Sequence, residues 1–187
     1  MDRTARNLEG LRRASVNAER AVQAFRSEEF DLVPDEQKQA WAMAALIHCD
    51  LTRLIVALDA AEGSMARLLW MADLAAKIYE AKRWYLERGG PLLLGIAEQN
   101  GYGGDSVREK IRELKAEHQL SGIERLADYR NKLSAHYDEE ALEYLERFER
   151  EHADEFFSTV GEFVRFSRGW ALLARDVLSH VASASHV

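Results

Sequence analysis

Apolar positions along this 187-residue chain recur three and four apart almost from end to end, a spacing that predicts amphipathic helices. An opening segment, roughly 3–29, leads to FDLVPDE, where Pro34 and the acids after it mark a second helix with proline near its first turn. Trp41, Ala44, Ala45, His48, Leu51, Thr52 and Ile55 share one face of that helix. Gly63 and Ser64 make a short break before a third helix, whose predicted inner face is Met65, Leu68, Leu69, Ala72, Ala76 and Tyr79. ERGGP stops it at about residue 88, since two glycines and a proline bring backbone freedom and remove an amide donor. PLLLGIAEQNGYGGDS reads as a helix-to-helix loop, because Gly101, Gly103 and Gly104 lack the spacing of a phosphate cradle and no strand precedes them. Asp105 or Ser106 then caps a helix to about Gln119, and Ser121 with Glu124 has the capping-box pattern of the next. Acids gather from Asp138 onward as a helix N-terminus prefers. A final helix of about 28 residues buries Phe156, Val160, Phe163, Val164, Trp170, Ala174, Val177 and Val181, and SASHV, residues 183–187, reads as a frayed tail.

The predicted fold class is therefore all-α: one domain over 1–187, an up-and-down bundle with a long C-terminal helix and no strand. Composition agrees, with 47% hydrophobic residues and only two prolines. The opening MDRTARNLEG has no apolar core of a secretory signal, and the most apolar run is interrupted by His48, Asp50 and Arg53. A cytoplasmic protein with no membrane partner is expected. The lone Cys49 leaves no intramolecular disulfide.

A net charge of −7 argues against a protein that coats nucleic acid with a broad basic face, though not against a local phosphate site. Residues 106–132 carry seven Lys and Arg against five Asp and Glu, whereas 138–155 carry two against nine. A polyanion is expected near the first of these segments.

LADYRNKLSAHYDEE raises a sharper question. In a helix, Ile123, Leu126, Arg130, Leu133 and Tyr137 form one stripe, and Arg130 stands where an apolar residue belongs. An arginine cannot shed its charge, so its burial requires a partner. One answer is a salt bridge to Asp50, Asp59 or Asp73, with His136 a hydrogen-bonded histidine at a helix end. The other is phosphodiester chemistry, in which a planar guanidinium grips two phosphate oxygens and an imidazole moves a proton near neutral pH.

RNKLSAHYD resembles the signature of the HEPN superfamily (higher eukaryotes and prokaryotes nucleotide-binding): an arginine, a polar residue, then a histidine after four to six intervening positions. The wording is closest to the abortive-infection branch, whose members are helical proteins of this length. The resemblance implies metal-independent RNA cleavage without a cofactor, as the toxin of a toxin-antitoxin or phage-defence system, with two motifs meeting across a homodimer and an antitoxin protein as a further partner. It places Arg130, Asn131 and His136 in catalysis, with Lys132, Tyr137 and Asp138 beside the substrate. One branch carries His-x-Tyr and is silenced by modification of that tyrosine; here Tyr137 follows His136 directly and Asp138 takes the next place, so that control is not expected. Along a regular helix, positions 130 and 136 lie about 240° apart in azimuth and about 9 Å apart in height, which is a reason for two protomers to share a site.

Other constellations are thinner. A di-iron bundle needs two Glu-x-x-His motifs, and only Glu149 with His152 fits, since His118 has Lys115 where the acid belongs. His48, Cys49 and Asp50 point in different directions on a helix and read as packing. Trp41, Trp70, Trp84 and Trp170 read as core rather than as a base-stacking platform. The alternative to a ribonuclease is a non-catalytic helical dimerisation or interaction module with a buried Arg-His polar network.

Overall fold

The computed structural model describes residues 3–26, 28, 31, 33–118, 120–126 and 153–185. Its elements are α1 (Arg3–Gln23), a 3₁₀ turn (Ala24–Arg26), α2 (Asp35–Ala60), α3 (Ser64–Trp84), a π turn (Tyr85–Gly89), α4 (Gly90–Gln99), α5 (Gly104–Glu117), a 3₁₀ segment (Leu120–Leu126) and α6 (Ala153–Ser185). No strand occurs among the described residues, and the protein is an all-α helical bundle.

α2 is the hub, packed against α1, α3 and α6. By length and composition alone it could cross a bilayer, but half of its most apolar window is buried inside the bundle. α1 and α6 both lie on α2 and scarcely meet each other among the described residues. α6, of 33 residues, spans about 50 Å. Its stripe of Phe156, Val160, Phe163, Trp170, Ala174, Val177 and Val181 is buried as its spacing predicts, and Val164 is partly buried.

The densest packing surrounds Tyr85, which is wholly buried. Its ring centroid lies 5.0 Å from that of Trp170, 5.4 Å from Phe166 and 6.2 Å from Phe163, all on α6. A phenol here needs polar partners. Its hydroxyl is 2.7 Å from Ser167 Oγ and donates to the Ala44 carbonyl at 3.4 Å, tying the joint after α3 to both α2 and α6.

That joint corrects the expected stop at ERGGP. The chain keeps helical dihedrals through Gly89 (φ −61°, ψ −40°) and Gly90 (φ −65°, ψ −57°), and the Gly90 amide bonds to the Tyr85 carbonyl in π register. These glycines serve close approach rather than reversal: a Cβ on Gly89 would sit 2.7 Å from the Trp84 ring. Pro91 stands in the first turn of α4, where the wider register has already interrupted the ladder and its missing amide matters little.

PLLLGIAEQ, expected as loop, is thus part of the helix α4, and only the stretch around the 101–104 glycines connects helices; four smaller corrections follow from packing. The inner face of α3 is Leu68, Met71, Ala72, Leu74, Ala75, Ile78 and Ala81, while Met65 and Leu69 are half exposed; apolar residues surround this helix, so periodicity does not phase it. α5 starts after Gly103 (φ 89°), whose carbonyl accepts the Val107 amide, so Asp105 and Ser106 lie inside its first turn. The Ser121–Glu124 pattern heads a 3₁₀ segment and makes no capping box, because Glu124 pairs with Lys82 of α3 instead. α6 runs on through Ser185, with the Ser183 hydroxyl donating to the Ser179 carbonyl, so residues 183–185 are helix rather than tail.

Candidate functional site

Arg130, Asn131, Lys132, His136, Tyr137 and Asp138 lie outside the described residues, as do Glu149 and His152. The segment leading to them is well fixed. Ile123 and Leu126, the first two members of the stripe that contains Arg130, are buried in the core, and a 3₁₀ helix stacks i and i+3 on one face. Gly122 lets the segment approach α6, where a Cβ would meet Thr159 Oγ1 at 2.7 Å. Just upstream, buried His118 places Nδ1 3.1 Å from Glu162 Oε2, and Arg165 donates to the other carboxylate oxygen. Arg165 first, then His118, holds the Glu162 carboxyl below its usual range. The acid facing His118 thus comes from α6 rather than from its own helix.

Arg165 is also part of the wall of a groove of about 1110 Å³ with α2 as its floor and α1 and α6 as its sides. Arg6, Arg12, Arg13 and Arg20 line it from α1, and Arg165, Arg168 and Arg175 from α6; among the described residues the one acid in the lining is Glu9. Seven guanidiniums against one carboxylate make this the opposite of the chain as a whole, which is net −7. Some of that charge is already answered. Glu9 takes Arg13 at 2.8 Å and Arg12 at 4.0 Å, Arg165 pairs with Glu162, and Arg175 with Asp176 at 2.8 Å. Arg6, Arg20 and Arg168 are exposed and have no ion pair among the described residues.

His48 lies in the groove floor beside buried Trp41, and its buried Nδ1 has no hydrogen-bond partner among the described residues. Burial, with Arg168 adding to it, lowers its pKa to about 4, so it is neutral at pH 7. Thr52 donates to its carbonyl at 2.7 Å. His48, Cys49 and Asp50 do point apart: Cys49 Sγ is 3.6 Å from Ser15 Oγ, and Asp50 pairs with Arg53 at 2.7 Å and Lys77 at 3.3 Å. Those two cations hold the Asp50 carboxyl low against the opposing effect of its burial. Trp41 and Trp170 are buried, and Trp70 and Trp84 are partly buried against the core.

Of the segment expected to face a polyanion, residues 106–118 and 120–126 are described. Arg108, Arg112 and Lys115 line a smaller pocket of about 390 Å³ over Tyr85 and Trp170, but Arg108 is paired with Asp105 and Glu98, and Arg112 with Glu109. Charge counting in short windows missed the groove because its arginines come from helices far apart in sequence. The legible signal was MDRTARNLEGLRRASVNAER, five arginines against three acids. No family profile, curated protein or solved structure matches this chain.

Proposed function

We propose that this protein is a metal-independent endoribonuclease of the HEPN type, acting in the cytoplasm as a toxin or phage-defence effector. The observation that carries the reading is the spacing in RNKLSAHYD, Arg130 and Asn131 followed by His136, within an all-α chain that has a long last helix. The arginine-lined groove adds to it, since the substrate is a chain of phosphates.

RNA carries its own nucleophile. His136 removes the 2′-OH proton, the oxygen attacks the adjacent phosphorus, and the bond to the 5′-oxygen breaks. Arg130 stabilises the crowded, charged phosphorane through two donors, and Asn131 orients one of the pair. The leaving 5′-oxygen takes up a proton, which leaves a 2′,3′-cyclic phosphate upstream and a 5′-hydroxyl downstream. DNA has no 2′-OH and is inert in this chemistry.

The test is cleavage of total cellular RNA in excess EDTA by wild type, Arg130→Ala and His136→Ala. Wild type cuts and leaves cyclic phosphate ends, while His136→Ala is slower by roughly 10²- to 10⁴-fold, the size of a general acid-base contribution. Absence of cleavage by wild type, or activity that requires Mg²⁺ and leaves 3′-hydroxyl ends, refutes the reading; the former leaves a non-catalytic interaction module.

A further inference from the structure

The strongest unassigned feature of the molecule is the trough over α2. It runs beside α1 from Arg6 to Gln23, which is about 25 Å of helix, and beside α6 from Val164 to Ser179, about 22 Å. Its arginines recur along that length instead of converging on one point. On α1, Arg6, Arg13 and Arg20 stand seven apart, or about 10 Å, and on α6 Arg168 and Arg175 repeat the same interval. A single small anion needs donors that converge, whereas a chain of phosphates needs donors in series. Guanidinium is the side chain suited to phosphate oxygens, because its planar fork donates to two at once.

The floor suits a strand as well. His48 is uncharged at neutral pH and presents a ring, Thr52 and Ile55 keep the base of the trough small, and no acid interrupts the α6 wall. Arg6, Arg20 and Arg168, exposed and unpaired among the described residues, are the donors left over once Glu9, Glu162 and Asp176 have taken theirs. One end of the trough also leads somewhere. Arg165 is bonded to Glu162, Glu162 to His118, and one turn earlier Thr159 touches Gly122, which ties that end to the 3₁₀ segment.

We propose that the groove between α1, α2 and α6 binds the sugar-phosphate backbone of a single-stranded nucleic acid, with Arg6, Arg20 and Arg168 as its principal phosphate contacts. That the strand is RNA rests on the ribonuclease reading; the affinity for a phosphate chain does not. Recognition is by charge and spacing, so it is indifferent to base sequence and falls with salt.

The experiment uses the full chain carrying His136→Ala, so that cleavage does not consume the probe, and a fluorescent 12-nucleotide single-stranded RNA read by anisotropy across a KCl series. Arg20→Glu with Arg168→Glu is compared with the parent and with Arg67→Glu, an exposed arginine on α3 away from the groove. Arg20, Arg67 and Arg168 are exposed on helix surfaces, and circular dichroism melts check that each variant folds. Binding should weaken at least tenfold in the double variant, and the slope of log K against log salt should shrink by about 1.4, two contacts at about 0.7 each for a single strand. Arg67→Glu should match the parent. Single-stranded DNA of the same sequence should compete, and orthophosphate at the same phosphate concentration should not.

Equal affinity in the double variant and the parent overturns the proposal, as does competition by orthophosphate as strong as by the oligonucleotide, which makes the groove a site for one anion. The two readings separate in a parallel cleavage assay. Cleavage equal in wild type and His136→Ala, with binding still dependent on Arg20 and Arg168, removes the ribonuclease mechanism and leaves the groove. Cleavage lost in His136→Ala, with affinity unchanged in the double variant, removes the groove and leaves the ribonuclease.

Discussion

Tyr85 places a hydroxyl in the middle of an aromatic cluster, and burial pushes the phenol well above its ordinary pKa, so it acts only as a neutral hydrogen-bonding group. Replacing it by phenylalanine keeps the ring contacts and leaves Ser167 without that partner, at a cost of about 1–2 kcal/mol in urea denaturation. Ser167→Ala should cost a similar amount, and the double variant less than the sum, because the two share one bond. Two glycines of the adjoining helical stretch separate crowding from propensity. Gly89→Ala drives a methyl into the Trp84 ring and should destabilise, while Gly95→Ala meets nothing within 4 Å and should stabilise by about 0.5–1 kcal/mol. His48 makes a pH prediction with a definite sign. Its folded pKa of about 4 lies below the ordinary 6.5, so the unfolded chain takes the proton first as pH falls. The stability it contributes is complete above pH 6.5 and declines toward pH 4. His48→Gln should flatten denaturation midpoints across that window; an unchanged slope would contradict this account. At this scale the sequence exposed Arg130 and His136 through a local spacing, but it placed His48 with packing because its arginine neighbour, Arg168, is on another helix.

Among the helices, α1 is held differently from the rest. Its buried face is Ala14, Ala18 and Ala21, followed by Ala24 in the next turn, whereas Leu8, Val16 and Val22 are exposed. Alanines allow close approach to α2 but bury little apolar area each. The arginines of α1 also face those of α6 across the trough, so like charges oppose closure when it is empty. α1 should therefore exchange its amides faster than α2 or α6, and hydrogen exchange followed by mass spectrometry should show it slow down when single-stranded RNA is added. Ala21→Leu, which forces three carbons into a fully buried position, should cost about 1–3 kcal/mol. Helix boundaries at Pro34, Gly63 and the 101–104 glycines were readable because turn chemistry is local. The π joint was not, since ERGGP serves equally as a stop or as a place for a tryptophan to pass close to the backbone. Nor was the face of α3, where apolar residues lie on more than one side and only the neighbours decide which side is inside.

For the whole molecule, the all-α bundle with its long last helix followed from period and composition, because those properties summed over many residues leave few architectures open. The groove could not be read in the same way: it is a product of tertiary packing, assembled from α1 and α6 on a shared floor. Assembly beyond one chain yields a further prediction. If Arg130 of one protomer completes the site of His136 in the other, a refolded mixture of Arg130→Ala and His136→Ala should recover about a quarter of wild-type activity, since half the dimers are mixed and each holds one intact site. Activity no greater than that of the separate variants would assign both residues to the same protomer.

The composition of the groove also has a temporal side. During translation α1 and α2 leave the ribosome first and carry four of its seven arginines, with no opposite wall. The strand seat closes only when the region around Arg165 to Arg175 has emerged and docked on α2. If the groove is the seat proposed above, a nascent or prematurely terminated chain is blind to the messenger it is being read from, and competence to hold a strand arrives as a late event in synthesis.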